Sequence, residues 1–86
     1  MISGTGAAIL RVALGCDSGA ATPPGWRNHF VVDGTADRVA EARSLEARGF
    51  AVRVAAFPSG NQLWRATAAG CLAVGVDPEQ TIGVPK

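Results

Sequence analysis

The chain holds one histidine, His29, and two cysteines, Cys16 and Cys71. A thiolate nucleophile needs an imidazole within hydrogen-bond reach and a third group to orient the ring. Asp33 lies four residues beyond His29. In one extended stretch that is ~13 Å, too far to hold the imidazole. Asp17, Glu41, Glu46, Asp77 and Glu79 form no local acid pair for general acid–base work. Two cysteines and one histidine fall short of the about four ligands that a structural zinc site takes. Gly4-Thr5-Gly6 is followed by neither the lysine nor the helix start of a phosphate-binding loop. The residue inventory therefore predicts a non-catalytic protein with no cofactor and no metal.

The stronger constellation is on a hairpin. Arg53 and Arg65 flank Trp64 in two arms joined by Pro58-Ser59-Gly60-Asn61. If Val52, Val54, Trp64 and Ala66 face the core, Arg53 and Arg65 stand together on the open sheet face, with His29 or Arg11 beside them. Guanidinium groups so arranged hold phosphate, carboxylate or a sugar acid. The plainer alternative is that they are the solvated positions of a half-covered sheet, with Trp64 as core anchor. A one-residue slip of register would expose Trp64 instead.

These residues need elements to position them. Ala7–Leu14 is apolar around one charge and reads as a strand, with Ala8, Leu10, Val12 and Leu14 on one face. Residues 15–27 are rich in Gly, Ser, Thr and Pro and read as a flexible loop. His29–Asp33 is a short strand closed by Asp33-Gly34. Thr35 then caps a helix over Ala36–Arg48, ended by Gly49, whose inner face carries Val39, Ala42 and Leu45. Residues 51–57 and 63–68 form the hairpin, and Cys71–Val76 is a possible further strand before a polar tail over 77–86. The expectation is a small α+β single domain over residues 1–86. Its order is β-β-α-β-β, one helix on a mostly antiparallel sheet.

Composition bounds the function further. At 86 residues and 48% hydrophobic, with Ala and Gly supplying much of that fraction, the core is thin. Dimerisation is a reasonable way to enlarge it. A net charge of +1 gives no general field for nucleic acid or anionic membrane. Seven arginines against the single Lys86, with abundant Ala, Gly and Val, indicate a GC-rich coding sequence, bacterial or from a bacteriophage. Two isolated cysteines without a CxxC motif fit a reduced cytoplasm.

Three resemblances add expectations. His29–Val32, the helix Ala36–Arg48, Gly49–Val54 and Leu63–Ala66 resemble the first half of a SPOR domain. Those bacterial modules bind denuded peptidoglycan strands on one sheet face. The resemblance implies a glycan-binding surface and a periplasmic setting. Val12-Ala13-Leu14-Gly15-Cys16, followed by a polar, Pro-containing tether, is similar to a lipobox, which implies lipidation at Cys16 and a membrane-anchored protein. The short, compact chain also resembles small proteins of temperate phages and prophages. The reading that follows is a protein-interaction module of the cytoplasm, with a protein partner or a second copy of itself and no membrane span. Its alternative is a glycan- or nucleic-acid-binding sheet face using His29, Arg53, Trp64 and Arg65, anchored through Cys16.

Overall fold

The computed structural model describes residues 2–16 and 24–85. Gly4–Ala13 is a helix, α1, where a strand was expected. Ser3 caps it, its Oγ accepting from the Gly6 N–H at 3.0 Å. Gly6, Leu10 and Ala13 form its buried stripe, a helical spacing that alternation over eight residues does not distinguish. Gly15 (φ 73°) then ends it. The Cys16 N–H donates to the Arg11 carbonyl at 3.0 Å and the Gly15 N–H to that of Val12 at 3.1 Å. This is a Schellman closure. Leu14-Gly15-Cys16 is therefore the end of α1.

Strand β1 spans Phe30–Val32 and is followed by α2, Ala36–Ala47, with Ala42 and Leu45 buried as the periodicity requires. Strands β2 (Ala51–Ala56) and β3 (Gln62–Ala66) form the expected hairpin. The sheet order is β1-β3-β2, with β3 antiparallel to both neighbours. β1 and β2 are thus parallel, joined through α2, with β3 inserted between them.

Residues 71–76 are not a strand either. Ala68–Ala73 forms a short helix, α3, capped by Thr67. Gly70 does not break it. A Cβ there would collide with the backbone oxygen of Phe50, so the glycine permits a close helix–strand approach. Pro78–Gln80 is one turn of 3₁₀ helix, and the chain beyond runs back past residue 25, the Ile82 N–H donating to the Gly25 carbonyl at 3.2 Å. The loop expected over 15–27 falls largely on residues 17–23, outside the described residues.

The core joins Leu10, Ala13 and Leu14 of the first segment to Ala42 and Leu45 of α2 and to Phe30, Val32, Ala51, Trp64 and Ala66 of the sheet. Trp64, 2% exposed, stacks on its cross-strand partner Phe30 with ring centroids 6.2 Å apart. The α+β class expected from the sequence is borne out: the described residues form three α-helices and a three-stranded antiparallel sheet in one compact body. No helix among the described residues is long and apolar enough to cross a membrane.

Candidate protein interface

The hairpin register separates the two arginines. Val52 pairs with Arg65, and Arg53 pairs with Trp64. Directly opposed residues share a sheet face, so Arg53 lies on the Trp64 side of edge strand β2 and Arg65 on the reverse side. The expected inner set is corrected accordingly. Trp64 and Ala66 face the core, but Val52 does not, and the ladder slips at Val54, which becomes a bulge residue. One residue gained in β2 shifts its alternation, and a period-two reading of 51–57 has no means of seeing it.

On the reverse face, continuing the β1–β3 register from Phe30↔Trp64 sets His29 opposite Arg65. Arg27, two residues before His29, faces the same way. Its Nη2 lies 3.4 Å from the His29 Nε2 and donates to the His29 carbonyl. The Arg65 guanidinium lies against Gly83, where a Cβ would come within 2.9 Å of Nη1. Of the four candidate residues, His29 and Arg65 are thus brought onto one face. Arg53 is on the other, and Trp64 is buried.

The cysteines pack away from the sheet's reverse face. Cys71 is buried in α3 and Cys16, partly buried, packs against the same core. Burial pushes the Cys71 thiol up from its usual value, and Thr81 offsets this only in part. That is the reverse of an activated nucleophile. In the folded protein, Ellman's reagent is expected to react readily with Cys16 and slowly with Cys71, both reacting in denaturant; two equally fast native thiols would contradict this packing. Among the described residues, no three His, Cys, Asp or Glu side chains gather to hold a metal.

A large concavity lies elsewhere, beside β1. An open groove of about 760 Å³ is walled by α1 on one side and α2 on the other, with the edge of β1 along it. Thr5, Ala8, Ile9 and Val12 line it from α1. Their spacing is one helical stripe, distinct from the buried one. Val12 and Val31 are 60% and 56% exposed. Phe30, Val32 and Ala42 supply further apolar lining, His29 adds an imidazole, and Arg27, Asp37, Arg38 and Glu41 bring charge of both signs.

The β1 edge is also open in its hydrogen bonding. The Asn28 side chain takes both backbone groups of Ala66, Nδ2 donating to its carbonyl at 3.0 Å and Oδ1 accepting from its N–H at 2.9 Å. Ala66 therefore points its polar groups toward β1, and by two-residue steps so do Trp64 and Gln62. Their partners Phe30 and Val32 answer them. Val31, between those two, points its N–H and C=O the other way, to the free edge. The His29 N–H faces that way too and is taken by the Ala13 carbonyl at 3.2 Å.

Sequence reasoning missed this groove because a strand over residues 7–14 splits Ala8, Ile9 and Val12 between two faces. The signal available was the 5, 8, 9, 12 spacing ahead of Gly15. Comparison with known protein families, with curated proteins and with solved structures finds no match for this chain.

Proposed function

We propose that this domain is a non-catalytic protein-interaction module, bacterial or phage-encoded, that receives its partner at the β1 edge and the groove beside it. The observation that carries the reading is the coincidence of three unfilled features on one side of the molecule. On the apolar stripe Thr5, Ala8, Ile9 and Val12, Ile9 packs inward against the core while Thr5, Ala8 and Val12 stand exposed along the groove. The adjacent strand edge presents unpaired backbone groups at Val31, and charged residues of both signs rim the opening. Apolar grooves with polar rims next to an open strand edge suit protein segments. Free Cys16 and Cys71 fit a reducing compartment. The lipidated alternative would require cleavage before Cys16, which would remove α1 and with it Leu10, Ala13 and Leu14 from the core.

A photo-cross-linking residue at position 12 in cells tests the proposal, with the same residue at Arg43, an exposed position of α2 that does not line the groove, as control. Discrete protein adducts at position 12 and none at 43 are expected. Equal labelling at both, or none at either, overturns the reading.

A glycan or nucleic-acid reading has a narrower basis than the sequence implied. It rests on Arg27, His29 and Arg65 of the reverse face, since Arg53 and Trp64 belong to the other. Its signature is salt-sensitive binding of single-stranded DNA, or binding of denuded glycan chains, that moves the amide resonances of those three residues.

A further inference from the structure

Resting on the reading above, we propose that the partner at the β1 edge is a second copy of this chain, paired antiparallel about Val31 so that two three-stranded sheets become one of six strands. A two-fold axis perpendicular to the sheet through a strand pair makes residue 31 + k face residue 31 − k of the other copy. Val31 meets Val31 of the other copy, and each supplies the outward N–H and C=O that the other lacks. Two residues away the edge is already closed, because the His29 N–H donates to the Ala13 carbonyl at the end of α1, and the two strands part there. The seam therefore carries two bonds, both at Val31.

Charge favours this register over a parallel or slipped one. Arg27, His29, Val31 and Asp33 alternate onto the same reverse face. Under the two-fold, each copy's Asp33 carboxylate comes opposite the other copy's His29, with Arg27 adjacent. Asp33 is exposed and Arg27 half-buried, so neither has to be dug out of a core to meet its counterpart. A parallel pairing would instead bring cation against cation and acid against acid. The pair is self-complementary, as an isologous contact must be.

The helices agree with the strand edge. The axis is perpendicular to the sheet, so both copies keep their helices on the same side, and the two grooves open toward each other above the seam. The α1 stripe of Thr5, Ala8, Ile9 and Val12 is small and apolar, and it faces its own image there. One contact covers Val12, Val31 and the unpaired backbone together. The other sheet edge is unsuited to this: β2 is kinked by the Val54 bulge and carries exposed Arg53. Those are devices that keep an edge from pairing.

The test is sedimentation velocity on the full chain from micromolar to several hundred micromolar, with three variants. Val31→Pro removes an N–H that the β1–β3 ladder does not use, at an extended edge position where proline is tolerated. It is expected to leave the circular dichroism unchanged and the protein monomeric. Val12→Glu sets a charge in the α1–α1 contact and is expected to do the same. His29→Asp puts acid opposite Asp33 twice per dimer and is expected to weaken association roughly fivefold. Adding Asp33→Arg to His29→Asp swaps the signs and is expected to restore it. A wild-type dimer that survives Val31→Pro overturns the edge pairing. A wild-type chain that stays monomeric throughout overturns the second copy as partner. The reading of the groove as a protein site then stands or falls on the position-12 cross-link to other proteins.

Discussion

Trp64→Ala is expected to lose about 3–5 kcal/mol, the range for deleting a large buried aromatic. A domain of this length has ~4–13 kcal/mol in total, so the variant sits at the edge of unfolding. The size of the effect follows from the position of the ring. Trp64 is on the central strand, stacks on Phe30 at 6.2 Å and donates its indole N–H to the Gln62 Oε1 at 3.1 Å. Among the described residues the core contains no second side chain of its volume, and its neighbours Ala42, Ala51, Ala66 and Ala13 are too small to close over the vacancy. Trp64→Phe keeps the stacking and gives up the hydrogen bond, and should lose less than Trp64→Ala. Urea unfolding followed by circular dichroism measures both. A loss below about 1 kcal/mol for Trp64→Ala would mean that the core closes around the gap.

Asn28→Ala is expected to cost ~2–5 kcal/mol through two buried backbone groups at once. Asn28 is 3% exposed, and its amide serves as the missing rung between the chain before β1 and the end of β3. Removing it leaves the Ala66 N–H and C=O without partners in a dry place. Asn28→Asp separates the two halves of the effect. A carboxylate accepts from the Ala66 N–H but has no donor for the Ala66 carbonyl, so in its ionised form it faces an oxygen. That variant should be no more stable than Asn28→Ala at neutral pH. Hydrogen exchange at the Ala66 amide reads the change directly, with protection falling by orders of magnitude more than the global stability change alone explains. Unchanged protection at Ala66 would show that another acceptor replaces the side chain.

Much of the middle of the chain is legible in the sequence. The run Thr35 to Gly49 carries a cap position, an Ala-rich interior and a C′ glycine, and α2 forms there with Ala42 and Leu45 inward. The β2–β3 hairpin followed from period-two patterning about a Pro-Ser-Gly-Asn turn, whereas the burial of Trp64 depended on a register that the pattern left open. The ends were misread for one shared reason. α1 and α3 are short and apolar, and over six to ten residues an apolar run fits a strand as well as a helix. The deciding signs were local. Gly15 and Gly75 close α1 and α3 in the same Schellman geometry as Gly49 closes α2. Ser3 and Thr67 cap the two helices from their side chains. Applying the Gly49 rule at all three places recovers both helices, and with α1 the groove. The Val54 bulge had no such sign. It is a property of how β2 meets β3, and it alone moved Arg53 to the far face from Arg65.

The insertion of β3 between β1 and β2 sets the order in which this chain can fold. β1 and β2 share no ladder, so a nascent chain that has emerged only through residue 56 has helices but no sheet at all. Sheet formation starts with the local hairpin over 51–66, on the microsecond scale typical of such turns. β1 can join only afterwards, by closing a loop across the whole of α2 to bring Phe30 onto Trp64. The rate of that docking governs how long the two edges of the hairpin stay open to other strands. The protein is thus most exposed to mispairing in the interval between the synthesis of Ala66 and the arrival of Phe30.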